Sequence, residues 1–208
     1  FMVDATAPTV ASVSSSTTNG LYGQNDNITV TVSFSENVIV DNSSGNPRIQ
    51  LETGANDSYA NYISGNSTST LSFLYIVQSG DNSSDLDYKA TDSLSANSGT
   101  IRDSATNDAT LTLQSPGSSG SLRVNKNLVI DGIIPIITGF SPSDNSSFLK
   151  ENTNFNVNFS ENILTSTLTT NTANTSCTSS VQLSSDNYSS CIRMNSLTFN
   201  NDNNSLTI

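Results

Sequence analysis

The feature that most constrains the fold is a strict alternation of apolar and polar residues in two separate stretches. From Ile28 to Phe34 the chain reads ITVTVSF, with Ile, Val or Phe at every second position. From Phe155 to Phe159 it reads FNVNF, with Asn between the apolar residues. Successive side chains of a strand point to opposite faces, so this period of two predicts half-buried antiparallel strands.

Similar alternation recurs along the rest of the chain. The stretch 71–77, read LSFLYIV, places Leu, Phe, Tyr and Val on one face. Gly, Asn, Asp and Ser interrupt the sequence often, and no stretch holds a helical spacing of apolar residues. Together these patterns predict an all-β fold of tandem Ig-like β-sandwich domains. Shorter strands are predicted at Leu111/Leu113, Leu122/Val124, Val181/Leu183, Ile192/Met194, Leu197/Phe199 and Leu206/Ile208.

Two internal repeats indicate the domain organisation. FMVDATAPTV at the start returns as LVIDGIIPII at 128–137, and VSFSENVIV at 32–40 returns as VNFSENILT at 157–165. Two matches in the same order at nearly the same spacing predict a tandem repeat. We therefore expect residues 1–4 to be the last strand of a preceding repeat or a linker, with domain 1 at 5–131 and domain 2 at 132–208. Domain 2 is expected to be incomplete, since such a sandwich needs ~100 residues.

Composition excludes several classes of function. The net charge is −11 and the chain has seven Lys and Arg residues, which disfavours binding to nucleic acid. No apolar run approaches the ~18 residues of a membrane span, so no membrane insertion is expected. The absence of histidine excludes Ser-His-Asp and Cys-His nucleophilic sites and zinc sites of the histidine type. We therefore expect that the chain is not an enzyme.

The two cysteines, Cys177 and Cys191, are the cysteine content of the whole chain. A pair at this spacing in a β-rich segment is typical of a disulfide that closes a short loop. The alternative is a pair of free thiols in the core. A disulfide favours an oxidising, extracellular setting.

Several of these segments carry a family likeness. Domain 1 resembles the Ig-like repeats of very large bacterial surface and secreted proteins in its segments TAPTV, NITVTVSFSENV, PRIQLETG, ANYISGNSTSTLSFLYIVQSGD, LDY, GTIRDSATNDATLTL and NLVIDG. Domain 2 is similar to the first part of the Ig-like domain of surface-layer proteins, from IPIITGFSPSDNSS through NFNVNFSENI to SLTI. Where such repeats usually read Asp-x-Ala-Gly-Asn, this chain has Thr106 in place of the Gly. The resemblance implies a stalk or adhesin module.

Calcium at the domain junctions is the chemistry that the acidic residues suggest. A simple up-and-down count of strands places the loop after strand B and the F–G loop beside the start of the domain. The residues expected to meet there are Asp4, Glu36, Asp103, Asn107 and Asp108. The same count brings together Asp81, Asp131 and Glu161 at the second junction. Converging carboxylates repel each other unless a cation neutralises them, and Ca²⁺ prefers oxygen ligands. The alternative is a bare acidic hinge stabilised by Pro8 and Pro135.

The sequence thus predicts a non-catalytic stalk segment of a long extracellular surface protein. One alternative is a subunit of an extracellular filament or surface layer that receives a strand from its neighbour. Another is a carbohydrate-binding accessory module of a secreted enzyme. The expected partners are neighbouring Ig-like repeats or copies of the chain itself, together with a surface glycan or protein.

Overall fold

The computed structural model describes residues 4–143, 146, 150, 153–172, 175–184, 186–194 and 196–208. It divides into two compact units, with unit 1 at Phe1–Ile134 and unit 2 at Pro135–Ile208. The sequence-based boundary at residue 131 lies just before this division. Residues 1–3, most of the strand assigned to a preceding repeat, lie outside the described residues.

The regular secondary structure of the described chain is nearly all strand, which confirms the all-β class. The strands of unit 1 are β1 (Val10–Ser15), β2 (Gly20–Gly23), β3 (Asn27–Asp41), β4 (Arg48–Gln50), β5 (Tyr59–Ser64), β6 (Thr68–Ile76), β7 (Asn82–Ser83), β8 (Leu94–Ser95), β9 (Thr100–Arg102) and β10 (Leu128–Asp131).

These strands form two sheets. The larger sheet has the order β1-β3-β6-β5-β4-β8, and β9 pairs with the end of β3. The smaller sheet has the order β2-β10-β7, in which β10 is parallel to β2 and antiparallel to β7. The last strand of unit 1, β10, therefore pairs with β2 near the start of the chain and with β7 in the middle of unit 1.

The alternation in the stretch from Ile28 to Phe34 becomes the burial pattern of β3. Ile28, Val30 and Val32 are fully buried, whereas the Thr and Ser residues between them are half-exposed. β6 pairs with β3 antiparallel and contributes Leu71, Phe73 and Tyr75 to the same core. Each fully buried Val, Leu, Ile or Phe side chain contributes ~1.5–3 kcal/mol, so these two strands supply much of the stability of unit 1.

The core lies against the inner face of the larger sheet. It includes residues of the smaller sheet and of the connections, namely Leu86, Tyr88, Leu113, Leu122, Leu128 and Ile130. Two predicted strands are wrong here. Leu122–Asn125 forms a short helix, α1, in which Leu122 is buried and Val124 is 54% exposed. Leu111 and Leu113 also lie outside any strand, although Leu113 is buried in the core. In each case a buried apolar side chain packs into the core, but the backbone of the connecting segment has no neighbouring strand to pair with.

Unit 2 contains one sheet in its described part. Its strands are β11 (Ile137–Ser141), β12 (Asn156–Phe159), β13 (Thr198–Phe199) and β14 (Ser205–Thr207), in the order β11-β12-β14-β13. A single 3₁₀ turn covers Thr165–Thr167. Neither this turn nor α1, the helical segments of the described chain, has the length and apolarity that a membrane crossing needs.

The predicted disulfide is present in unit 2. The Sγ atoms of Cys177 and Cys191 lie 2.06 Å apart, and their Cα atoms lie 5.2 Å apart. The predicted strands near these cysteines are reduced to an isolated bridge at Val181 and a backbone hydrogen bond from Ile192 to Leu183. The disulfide therefore closes a loop that has little regular structure of its own.

Candidate metal site

The segment that leads into β1, residues 4–9, is attached along its length to two parts of unit 1. We call it the entry segment. Thr9 donates its backbone N–H to the Ser35 hydroxyl (3.0 Å) and accepts the Ser35 N–H at its carbonyl (2.9 Å). On the other side, the Thr110 N–H donates to the Pro8 carbonyl at 2.8 Å. The entry segment is thus fixed between β3 and the chain after β9.

A tight turn from Asp103 to Asn107 lies beside the entry segment. The Asp103 N–H donates to the Asn107 carbonyl, and the Asn107 N–H donates back to the Asp103 carboxylate at 2.8 Å. The Asn107 amide also donates to Asp103 Oδ2 (2.6 Å) and to the Asp4 carbonyl (3.2 Å). Thr106 has a φ of +74°, a left-handed conformation that favours Gly. Asn107 therefore connects the turn to the entry segment.

Three carboxylates converge at this place. One oxygen from each of Asp4, Glu36 and Asp103 lies within 4.8 Å of the other two. Asp4 is exposed, Glu36 is half-buried, and Asp103 is 2% exposed. The three carboxylates thus extend from the exposed Asp4, on the entry segment, to the buried Asp103.

Asp103 is held in its charged form by the turn. Burial works to raise the pKa of this carboxyl, but hydrogen bonds from the Asn107 amide and from the N–H groups of Asn107, Ala105 and Thr106 outweigh it. The net result is a pKa below the ordinary value. Asp103 therefore carries a negative charge at neutral pH, even though it is almost fully buried.

The spacing of the three carboxylates suits a calcium ion. Ca²⁺ binds oxygen at 2.3–2.6 Å, so two of its ligands can lie up to about 5 Å apart. Asp4, Glu36 and Asp103 satisfy this limit. Because Ca²⁺ takes 6–8 oxygen ligands, the remaining positions would be filled by backbone carbonyls and water. The residues present fit a calcium ion.

Glu36 belongs to this cluster from a position within a strand, and not from the loop that the strand count predicts. The strand count places Glu36 in a loop after strand B, whereas β3 is one continuous strand from Asn27 to Asp41. Its pairing with β6 shifts register between Ser33 and Val38, at an irregularity that contains Glu36. β1 pairs with β3 from Val10 opposite Phe34, so the chain just before β1 runs past Glu36. Strand register, rather than a shared loop end, brings the carboxylates together.

Two residues expected in this cluster have other roles. Asn107 donates its amide hydrogens to Asp103 and to the Asp4 carbonyl, so it fixes two of the acidic residues in place. Asp108 accepts a hydrogen bond from Arg102 Nε at 2.5 Å, and its side chain is 74% exposed. The charge of Asp108 is thus already paired, outside the group of three.

Asp81, expected at the second junction, is buried in a network of its own. Its carboxylate accepts hydrogen bonds from the hydroxyls of Ser58 and Tyr75 and from the Gln78 N–H. Burial and the bond to Asp81 raise the pKa of Tyr75 far above its ordinary value. With so many donors and 4% exposure, this carboxylate serves to hold the end of β6.

The exit of unit 1, Asp131–Gly132, lies against the same loop. The Gly132 N–H donates to the Asp81 carbonyl at 2.7 Å, and the Gly80 N–H donates to the Gly132 carbonyl at 2.8 Å. The Asp131 carboxylate accepts the Ile133 N–H at 3.3 Å. Within the described part of unit 1, Asp81 and Asp131 belong to no group of three acids like the one at the entry. Glu161 is half-buried and follows β12 in unit 2.

Some of the residues that shape the site have no signal in the sequence. Ser35 and Pro8 act through hydroxyl and backbone atoms, whose partners depend on strand register. Thr106 is the exception, because the sequence singles out this position as the place of a tight turn. None of the protein-family models, curated proteins or solved structures compared with the chain matches it.

Proposed function

We propose that the chain is a non-catalytic spacer segment of a long extracellular surface protein of the adhesin type. In this proposal its two units are Ig-like modules, and calcium at the entry of unit 1 stiffens the connection to whatever precedes it. The observation that carries the proposal is that unit 1 holds its entry and its exit at separate positions along one strand, β3.

The separation of entry and exit follows from β3. The entry segment is attached at Ser35, in the second half of β3, whereas the exit loop is attached beside the first residue of β3, where the Val77 N–H donates to the Asp26 carbonyl. A strand rises ~3.3 Å per residue, so the stretch from Asn27 to Glu36 spans roughly 30 Å. A module with this arrangement adds its own length to the length of the whole protein.

Duplication of unit 1 within the chain tests the spacer proposal. We expect each added copy to increase the maximum dimension in small-angle X-ray scattering by at least roughly 30 Å, as the strand geometry requires. A growth in volume without this increase in length would contradict the spacer function.

Calcium binding supplies the second part of the proposal. Extracellular modules typically bind Ca²⁺ at ~10⁻⁴–10⁻³ M. At 10 mM calcium such an affinity would stabilise unit 1 by ~1.4–2.7 kcal/mol. Isothermal titration calorimetry and thermal melting with calcium, and then with chelator, measure the binding and the stabilisation.

Substitutions test whether calcium binds at the three carboxylates. We expect Glu36→Gln combined with Asp103→Asn to abolish the heat of binding, because two of the three carboxylates lose their charge. Asp108→Asn removes a neighbouring acid outside the group and should leave the binding unchanged. If the wild-type chain shows no heat and no shift in melting, the bare acidic hinge is the better account.

A second candidate function is a subunit of an extracellular filament or surface layer. It is favoured by β11, an edge strand of unit 2 that pairs with β12 alone among the described strands. Its residues Ile137 and Phe140 are 60% and 56% exposed. An exposed apolar edge strand is a template for strand addition from another chain. Sedimentation velocity over a range of concentrations tests it: growing polymers that Phe140→Lys abolishes would support the filament, and a constant monomer would contradict it.

A further inference from the structure

The outer face of the larger sheet carries one apolar patch that the spacer function does not use. On the part of β3 that pairs with β1 and β6, Thr29, Thr31 and Ser33 occupy this face, and Ile39 near the end of the strand is 42% exposed. On β5 and β6 it changes to Tyr59, Ile63 and Ile76, which are 38%, 51% and 42% exposed, and to Leu74, which is half-buried. Outward positions of a strand are normally polar, so these four side chains form a small apolar patch of the kind that lines ligand-binding grooves.

A groove of about 590 Å³ follows this patch. Its volume lies within the ~300–1,000 Å³ of small-ligand sites. Beside the apolar residues it is lined by amide and carboxylate side chains, namely Asn46, Asp57, Asn61 and Gln78. Amides provide both hydrogen-bond donors and acceptors. The groove thus combines an aromatic and aliphatic floor with three amide side chains and the carboxylate of Asp57 at its edges.

Arg48 lies at the border of this groove. Its guanidinium carbon is 4.1 Å from the centroid of the Tyr59 ring. Among the described residues the Arg48 guanidinium makes no hydrogen bond and no ion pair, so its N–H donors remain available. Stacking on the ring fixes the orientation of both side chains before any ligand arrives.

The charges around the groove balance, in contrast to those of the whole chain. Lys89 pairs with Glu52 and lies 3.4 Å from Asp57, and Arg48 adds a second positive charge. Asp57, the charged side chain of the groove lining, is therefore offset by Lys89, and Arg48 stacks on Tyr59 beside it, whereas the chain as a whole has a net charge of −11. This balance favours a neutral ligand over a polyanion or a polycation.

The size of the patch argues against a protein partner. A stable protein interface buries ~800 Å² on each side, across 20–30 residues. Here the apolar area consists of Tyr59, Ile63, Leu74 and Ile76 with part of Tyr62, and the neighbouring outward positions of β3 are Thr and Ser. The remaining chemistry is that of a sugar, whose C–H faces pack on an aromatic ring while its hydroxyls pair with amides.

We propose that this groove binds a neutral oligosaccharide, with Tyr59 packing against a sugar ring and Asn46, Asn61, Gln78 and Arg48 hydrogen-bonding its hydroxyls. The site lies apart from the acidic cluster. It would give a spacer segment, or a module of another kind, its own contact with a glycan surface.

The test uses the full chain on an array of neutral and uronate-containing oligosaccharides. Titration follows, by calorimetry, with cellopentaose, chitopentaose and each neutral glycan that the array identifies. We expect binding to at least one neutral glycan. Tyr59→Ala should weaken it at least tenfold, and Asn61→Ala should weaken it several-fold. The matched control is Tyr188→Ala, which removes a tyrosine that is 60% exposed in unit 2.

Several outcomes would overturn the proposal. They are a lack of binding to every neutral glycan at millimolar concentration, a preference for uronate-containing glycans, binding that Tyr59→Ala leaves unchanged, and self-association through this face. Circular dichroism melting of each variant verifies that it is folded. The length increase expected of a spacer is measured separately, so either proposal can fail without the other.

Discussion

Units 1 and 2 contain the same short sequence, Phe-Ser-Glu-Asn, and fold it differently. In unit 1, β3 continues through this sequence to Asp41, and Phe34 and Val38 are buried. In unit 2, β12 ends at Phe159, which is half-buried, and a 3₁₀ turn follows shortly after. Unit 1 provides β9 as a partner for the extension, at Ile39 to Asp41. In the described part of unit 2 no strand pairs there, so local sequence alone does not extend the strand.

The two units also differ in how they are stabilised. Unit 1 has a continuous core of buried Val, Ile, Leu, Phe and Tyr residues. In the described part of unit 2, the buried hydrophobic residues are Cys191, Met194 and Leu206. A small core leaves little hydrophobic free energy to offset the entropy of ordering the chain, and a disulfide reduces that entropy in the unfolded state. We therefore expect unit 1 to depend on packing and unit 2 to depend on its cross-link.

The largest expected effect is a cavity in the core of unit 1. Phe73→Ala removes a fully buried ring that packs edge-on against Tyr62, with ring centroids 5.9 Å apart. It should lower the free energy of unfolding of unit 1 by ~3–5 kcal/mol. Chemical denaturation followed by circular dichroism measures this change. Phe140→Ala in unit 2, where the ring is 56% exposed, is the control and should change stability by less than ~0.5 kcal/mol. Equal losses of stability in the two variants would contradict the expectation that unit 1 depends on core packing and unit 2 does not.

The next largest effect concerns the disulfide. Replacement of both Cys177 and Cys191 by Ser should lower the free energy of unfolding of unit 2 by about 3 kcal/mol, since the bridge closes a loop of 14 residues. Differential scanning calorimetry should show the loss in the unit 2 transition and no shift in that of unit 1. A reductant should reproduce the effect in the wild-type chain and leave the double variant unchanged. Loss of the unit 1 transition would show that the units do not fold independently.

A smaller effect is expected at the turn of the entry site. Thr106 has a φ of +74°, a left-handed conformation that costs a β-branched residue ~1–2 kcal/mol. Thr106→Gly should therefore stabilise unit 1 by up to about 1 kcal/mol, after the greater flexibility of Gly in the unfolded state is counted. Asn25→Gly is the control. Asn25 has a φ of +71°, and Asn tolerates this conformation better than Thr. A loss of stability in Thr106→Gly would mean that the threonine side chain itself supports the turn.

The smallest effect is on the pH dependence, and it involves one carboxylate in each unit. Hydrogen bonds from the Ser190 hydroxyl and N–H and from the Ser184 hydroxyl lower the pKa of Asp186 to about 2. Asp103 in unit 1 also has a lowered pKa. A carboxyl with a lowered folded-state pKa adds stability above its unfolded-state value, near 3.9, and loses that stability as the pH falls toward the folded-state value.

Melting temperatures between pH 5 and pH 2 measure this effect. We expect Asp186→Asn to remove part of the acid sensitivity of unit 2 and to leave that of unit 1 unchanged. Asp103→Asn should do the reverse. If either variant changes both units alike, the acid sensitivity belongs to the overall charge of the chain and not to these turns.

The long strands could be predicted from the sequence because burial on one face repeats every second residue. The pattern in Ile28–Phe34 and in the stretch 71–77 predicts β3 and the inner face of β6. Leu122 and Val124 show where this reasoning fails. Two apolar residues do not establish a period, and the segment forms a helix because only Leu122 finds a place in the core.

The candidate metal site could be predicted only in part. Asp4, Glu36 and Asp103 were expected together and do converge, although the position of Glu36 within β3 was not expected. The separate pairing of Asp108 with Arg102 depends on side-chain positions that no spacing reveals. Likewise, burial of Asp81 depends on Tyr75, whose hydroxyl lies beneath the sheet at the end of an otherwise apolar alternation.

The antiparallel pairing of β1 with β3 determines how tension along the chain would act on unit 1. Val10 lies opposite Phe34 and Ser15 opposite Val30, and the chain enters beyond the Phe34 end of this pair. A pull on the entry segment, resisted at the exit near Asn27, is directed along the strand axis. The hydrogen bonds between β1 and β3 are then loaded in shear, and all of them bear the load at once. A hairpin opened from its tip would instead lose its bonds one after another.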